Sequence, residues 1–166
     1  MPYLIDANCF IEPKNRYYGF DFCPGFWDWL EQQNKVGVVF SIANIAVELK
    51  HIQDELARWA QQRGSTFFLP LDPLTITTMS KIVTWVNDPS AGFSPQQTQI
   101  FLKCADPFLI AYALAHNYTI VTHEVSAFNK TGKKTKIKIP DVCQQFNVPC
   151  ITIFDLLRQE KARLII

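Results

Sequence analysis

Residues 105–124 read ADPFLIAYALAHNYTIVTHE, and this stretch decides the fold. Asp106-Pro107 opens a helix, with proline at a position where its missing N–H costs nothing. From Phe108 to about His116 the residues are almost all apolar, so the helix has no face to give to water and is buried. Asn117 is a residue that suits the end of a helix. Tyr118–Thr122 then carries the β-branched Thr119, Ile120, Val121 and Thr122, which favour a strand. An apolar helix that feeds a β-branched strand fits a sheet covered by helices. Glu124 stands two residues past the end of that strand.

The same alternation runs through the rest of the chain. Tyr3–Asp6 is a short apolar strand that ends on an acid. A loop with Pro13, Gly19, Pro24 and Gly25 leads to a helix from Phe26 to about Gln33, and Val36–Phe40 is a second strand. Ser41 is a suitable N-cap for a helix whose apolar positions recur with helical period from Ile42 to Ala60, ended by Gly64. Thr66–Leu69 is a third strand. Leu74–Val86 is a helix broken by Asn87-Asp88-Pro89, and Ser94-Pro95 restarts another. Beyond Thr122, a basic loop over Lys130–Lys138 leads to a short helix from Asp141, a last strand at Cys150–Ile153 and a C-terminal helix from about Asp155. Strand–helix repetition predicts an α/β domain spanning 1–166, in three layers around a mainly parallel sheet.

Hydrophobic residues make up 48% of the 166 positions, enough for a sizeable core and too many for a disordered chain. The net charge of +1 neither favours nor excludes nucleic acid. Five cysteines with no CxxC pair give no zinc spacing and no disulfide framework; all five read as small apolar core residues in a reducing compartment. No apolar run approaches the roughly 20 residues that span a bilayer, and the first acid comes at position 6. The expectation is a cytoplasmic protein with no membrane partner.

Active sites of open parallel sheets collect at the carboxyl ends of strands. Asp6 and Glu124 follow two strand ends, Glu48 lies about two turns into the helix after the second strand, and Asp106 opens the buried helix. Acids from four distant segments can thus converge on one edge of the sheet. Each has a plainer reading: Asp6 as a cap helped by Asn8, Glu48 as a solvated residue, Asp106 as an N-cap, and Glu124 as a loop acid. Clustered carboxylates repel one another unless a cation or raised pKa values relieve them. An all-oxygen set suits Mg²⁺ or Mn²⁺ rather than zinc. His51, His116 and His123 form no metal-spaced pair and are expected at the surface or behind the acids.

These residues resemble the PIN-domain nucleases over about residues 3 to 154. YLIDANCFI (3–11) resembles that family's opening strand with its first metal acid, Asp6. SIANIAVELK (41–50) resembles its Ser-to-Glu segment, with Ser41 at the helix start and Glu48 as second acid. Residues 105–124 resemble its third-acid helix and following strand, with Asp106 as third acid and Thr122 and Glu124 in the Thr-x-Asp position. KIPDVCQQFNVPCITIFDLL (138–157) is similar to a PIN-like branch of toxin type. The family's fourth acid is usually Asp, so Glu124 is a departure, and Asp141 is a possible substitute. The resemblance implies a three-layer PIN-like fold and hydrolysis of RNA phosphodiesters with Mg²⁺ or Mn²⁺. It implies Asp6, Glu48, Asp106 and Glu124 as catalytic metal ligands, supported by Asn8, Ser41 and Thr122. It also implies a protein antitoxin and a homodimer as possible partners.

Lys130, Lys133, Lys134, Lys136 and Lys138 form the one dense basic run, placed to border the acids and attract phosphate, or else to form a solvated loop. Tyr17, Tyr18, Phe20, Phe22 and Trp27 could stack on unpaired bases, although core or dimer packing is the preferred reading. Two other classes stay open. One is a non-catalytic PIN-like module that binds RNA or protein; the other is a phosphatase that uses the same acids.

Overall fold

The computed structural model describes residues 1–127 and 136–164. Among the described residues five strands form one sheet: β1 (Tyr3–Ile5), β2 (Val39–Ile42), β3 (Phe68–Leu69), β4 (Thr119–Val121) and β5 (Cys150–Ile151). Their order is β3-β2-β1-β4-β5, and every pairing is parallel. Nine α-helices flank it among the described residues: α1 (Asn8–Glu12), α2 (Pro24–Lys35), α3 (Ala43–Lys50), α4 (Glu55–Phe67), α5 (Pro73–Asn87), α6 (Pro95–Lys103), α7 (Asp106–His116), α8 (Ile139–Phe146) and α9 (Ile153–Gln159). The fold is α/β, as the alternation of elements predicts, and PIN-like, as the resemblance implies.

The strand order explains where a site can form. From β1 the chain steps to β2 and β3 on one side, then returns to β4 and β5 on the other. Right-handed crossovers send the first set of helices to one face and the second set to the opposite face. Accordingly α3 packs on α4, whereas α7 packs on α5, α6 and α8. The direction reverses between β1 and β4, where the flanking segments diverge and leave a crevice at the carboxyl ends. Ile5 pairs with Val121 there, so the residues that follow, Asp6 and Thr122, stand side by side.

The helix of the opening stretch forms as read: Leu109, Ile110 and Ala111 are fully buried, and Asn117 ends α7 in the left-handed conformation at φ 58°. Ser94 closes a capping box with Gln97 at the start of α6. Other expectations need correction. The second strand runs from Val39 rather than Val36, because Gly37 at φ 79° turns the chain after α2. Ser41 is no N-cap: it lies in β2, and the cap position of α3 is Ile42. The helix expected from Ile42 to Gly64 is two, broken where Gln53 takes φ 54° and Asp54 caps α4. Gly64 takes the non-helical angles φ 58° and ψ −154° and breaks the helix there, as expected, with one more turn following to Phe67. The expected loop after Asp6 holds α1 and a π-helical turn at Pro13–Tyr17.

The aromatic segment is largely packing. Tyr18 stacks on Phe26 at 4.5 Å and Phe20 on Trp27 at 4.0 Å between ring centres, and the Trp27 Nε1–H donates to the Tyr18 carbonyl at 2.7 Å. Only Tyr17 and Phe22 of that group are exposed. Among the cysteines, Cys9 and Cys143 are core residues, but Cys23, Cys104 and Cys150 are only half-buried, which corrects the expectation for those three. No helix among the described residues is long and apolar enough to cross a membrane.

Candidate functional site

Asp6 follows directly from β1 and is 2% exposed. Its backbone N–H donates to the Val121 carbonyl at 3.0 Å, which fixes it against the end of β4. The Thr122 hydroxyl donates to Asp6 Oδ2 at 2.8 Å and accepts the Glu124 N–H at 3.0 Å. One hydroxyl therefore sets both the carboxylate of Asp6 and the backbone that presents Glu124. Beneath Asp6, the buried Ser41 hydroxyl donates to the Ile5 carbonyl at 2.7 Å, just past the last β1–β2 pair. Ser41 thus braces the acid from the strand rather than from a helix start. Asp6 itself caps nothing: the cap position of α1 is Ala7, without a side-chain cap, and Asn8 is an exposed first-turn residue.

Asp106 also departs from its plainer reading. The N-cap of α7 is Ala105, and Asp106 lies inside the first turn, half-buried. The Ala105 N–H is taken instead by Glu48 Oε1 at 3.0 Å, which ties α3 to the start of α7. Glu48 is therefore no free surface residue; it reaches the residue before the third acid.

The charges act on one another. Burial pushes the Asp6 carboxyl up to about 7; the charges of Asp106 and Glu124 add to this, and the Thr122 hydrogen bond opposes it. Burial also raises Asp106 to about 6, with further contributions from Glu124 and Glu48, opposed by a Cys104 hydrogen bond and the charge of Lys138. Asp106 is thus coupled to the other three acids of the predicted set. Cys104, between Glu48 and Asp106, is pushed up to about 12 by burial and then by the charge of Asp106.

Glu124 is the fourth member by position. Its Oε1 accepts from Lys138 Nζ at 2.6 Å and its Oε2 from the Ile139 N–H at 2.8 Å, so it holds the N-terminus of α8. Asp141, the alternative, is occupied elsewhere: it is 2% exposed and takes the Ser126 hydroxyl and the Ala127 N–H, pinning the segment after β4. The N-cap of α8 is Lys138, so that helix starts at Ile139, two residues before the expected Asp141.

Two clefts meet at Cys104. One of about 400 Å³ is lined by Glu48, His51, Lys103 and Phe108. The other, of about 260 Å³, holds Asp106 and Glu124 beside Lys136 and Lys138, with Ile100 and Phe101 as an apolar wall. Lys136 is exposed and lines this cleft, whereas Lys130, Lys133 and Lys134 lie outside the described residues. The sequence reading missed Lys103 and the Ile100–Phe101 wall, which no motif marks. His116 pairs with Asp72 at 2.7 Å, away from the acids. His123 packs its ring against Phe154 at 5.9 Å.

The donor set is all oxygen, buried at its base and electrostatically strained, which fits a hard divalent cation. The spacing is looser than a finished cage: among the described residues no three His, Cys, Asp or Glu side chains stand close enough to hold a metal. Both glutamates are turned to donors of their own chain, Glu48 to Ala105 and Glu124 to Lys138 and Ile139. That accounts for the spacing without changing the chemistry of the set.

The chain has an α/β fold of PIN-like topology, with Asp6 and Thr122 side by side where the strand order reverses. The chain belongs to the family described as "Domain of unknown function (DUF4411)", whose model matches residues 3–164. In fold it is similar to a chain in the crystal structure of VapBC2 from Rickettsia felis bound to a DNA fragment from their promoter. That match has a TM-score of 0.53 at 14% identity, and it covers 92% of this chain and 98% of that one. No curated protein matches the chain.

Proposed function

We propose that this protein is a Mg²⁺- or Mn²⁺-dependent ribonuclease, the toxin of a toxin–antitoxin pair. The observation that carries the nuclease reading is the placement of Asp6 beside Thr122 past the ends of β1 and β4, with Asp106 and Glu124 in one cleft and Glu48 bonded to the residue before Asp106. The likeness in fold to a VapBC2 chain supports the toxin reading and a protein antitoxin as partner.

Asp6, Glu48, Asp106 and Glu124 would hold the cation. When bound, it would supply an activated water and charge stabilisation at phosphorus. The chain's own residues do the rest. Thr122 and Ser41 hold Asp6 in register at the sheet edge. Lys136 and Lys138 give the cleft a positive rim that draws an RNA phosphate toward the acids. Ile100 and Phe101 give it an apolar wall that limits water on that side.

The test is cleavage of single-stranded RNA by purified protein with Mn²⁺, Mg²⁺ or EDTA, with Asp6→Asn and Asp106→Asn beside the wild type. Metal-dependent cleavage that falls at least about a hundredfold in both variants supports the proposal, since even residues that merely support a metal ligand contribute 10- to 100-fold. Cleavage that persists in EDTA or in Asp6→Asn overturns it. The engagement of both glutamates by the chain's own donors favours one competing reading, a PIN-like module that binds RNA or protein without cutting. RNA binding with no cleavage under any metal would support that reading.

A further inference from the structure

Lys138 is placed unlike an ordinary rim lysine. Its ammonium is 2.6 Å from Glu124 Oε1, and it lines the same 260 Å³ cleft as Asp106. Its backbone is the N-cap of α8, which anchors its stem, and its side chain is 32% exposed against 12% for Glu124. The other oxygen of Glu124 is held by the Ile139 backbone N–H. Loss of the lysine contact would therefore leave Glu124 in position with one oxygen released.

We propose, resting on the metal-site reading above, that Lys138 is an exchangeable internal counter-ion. Its ammonium occupies Glu124 until a divalent cation takes that oxygen, and the displaced ammonium then binds a phosphate of the RNA in the cleft. The geometry carries this in two ways. An ammonium and a divalent cation compete for the same carboxylate oxygen. Once that oxygen is taken, the cation repels the ammonium, and Lys138, with Lys136, lines the same cleft as Asp106 and Glu124. Metal and RNA then bind cooperatively through one side chain, with Lys138 as a positioning residue for the acids and a contact for the substrate.

The replacement Lys138→Met keeps the stem and removes the charge, and it has opposite predicted effects on the two ligands. Calorimetric titration with Mn²⁺ alone should show affinity tightened about fivefold, the scale a partly exposed ion pair allows. Binding of a short phosphorothioate RNA in Mn²⁺ should weaken, with the salt slope reduced by about 0.7, the value for one single-strand phosphate contact. In EDTA the variant should bind that RNA as the wild type does. In a Glu124→Gln background, Lys138→Met should leave Mn²⁺ affinity unchanged, which separates competition at Glu124 from a general loss of positive charge. Mn²⁺ affinity that is unchanged or weaker in Lys138→Met, with the wild type binding Mn²⁺, overturns the proposal alone. Absence of Mn²⁺ binding in both proteins overturns the metal-site reading and this proposal with it.

Discussion

Thr122 shows how much one small side chain controls at the sheet edge. It is 2% exposed, donates to Asp6 and accepts from the Glu124 backbone. Thr122→Val keeps the shape and removes both bonds, which leaves a buried carboxyl and a backbone N–H short of partners. Chemical denaturation should show a loss of about 2 kcal/mol. The pH at which Asp6 ionises should rise, because the Thr122 bond now opposes the upward shift. Unaltered stability would mean the hydroxyl bridge is replaceable by water. Asp6 was legible in the sequence because an acid directly after three apolar residues has nowhere dry to go but a sheet edge. The placement of Asp106 was legible but its plainer role was not: Asp-Pro reads as a cap, whereas Ala105 takes that position and Glu48 supplies the oxygen from 57 residues away. A bond of that span leaves no local mark. Lys138 was visible only as one lysine in a basic run, since its contact with Glu124 depends on how α8 docks beside β4.

At the scale of elements, the segments that local chemistry decides were readable and those that long-range packing decides were not. The α6 capping box and the left-handed end of α7 follow from Ser94, Gln97 and Asn117 themselves. The junction of β2 and α3 misled, because a serine before a helical pattern is as apt for a cap as for the last turn of a strand. Ser41 is drawn into β2 by the carbonyl of Ile5, which only the folded sheet supplies. The break between α3 and α4 hides inside an unbroken apolar period and is marked only by Asp54, whose carboxylate accepts the Ala57 N–H at 3.1 Å. The end of α7 gives a direct test. Asn117 is exposed at φ 58°, a conformation that asparagine tolerates and a β-branched residue does not. Asn117→Val should cost about 1–2 kcal/mol, and Asn117→Gly should cost nothing measurable or add slightly to stability, as read by denaturant midpoint. Equal midpoints for the two would show that the backbone there rearranges freely.

For the molecule as a whole, the charges of Asp106 and Glu124 act on the buried Asp6, and those of Glu124 and Glu48 act on Asp106, and this repulsion bears on folding. Asp6 titrates at an ordinary 3.8 when unfolded and at about 7 when folded, and Asp106 moves from 3.8 to about 6. Below about pH 4 both states hold these protons, so the acids cost the fold little. Between about 4 and 7 the folded carboxyls keep protons that the unfolded ones have lost, so each rise in pH favours unfolding; above about 7 the loss is complete. A bound cation would remove the repulsion and stabilise the native state by mass action. The most direct measurement is thermal unfolding across this pH range, in EDTA and in Mn²⁺, for the wild type and Asp6→Asn. The account predicts a wild-type Tm that falls from about pH 4 to about pH 7 in EDTA and recovers in Mn²⁺, with both effects reduced in Asp6→Asn. A Tm that is flat over this range in EDTA, or one that Mn²⁺ leaves unmoved above pH 7, would contradict it.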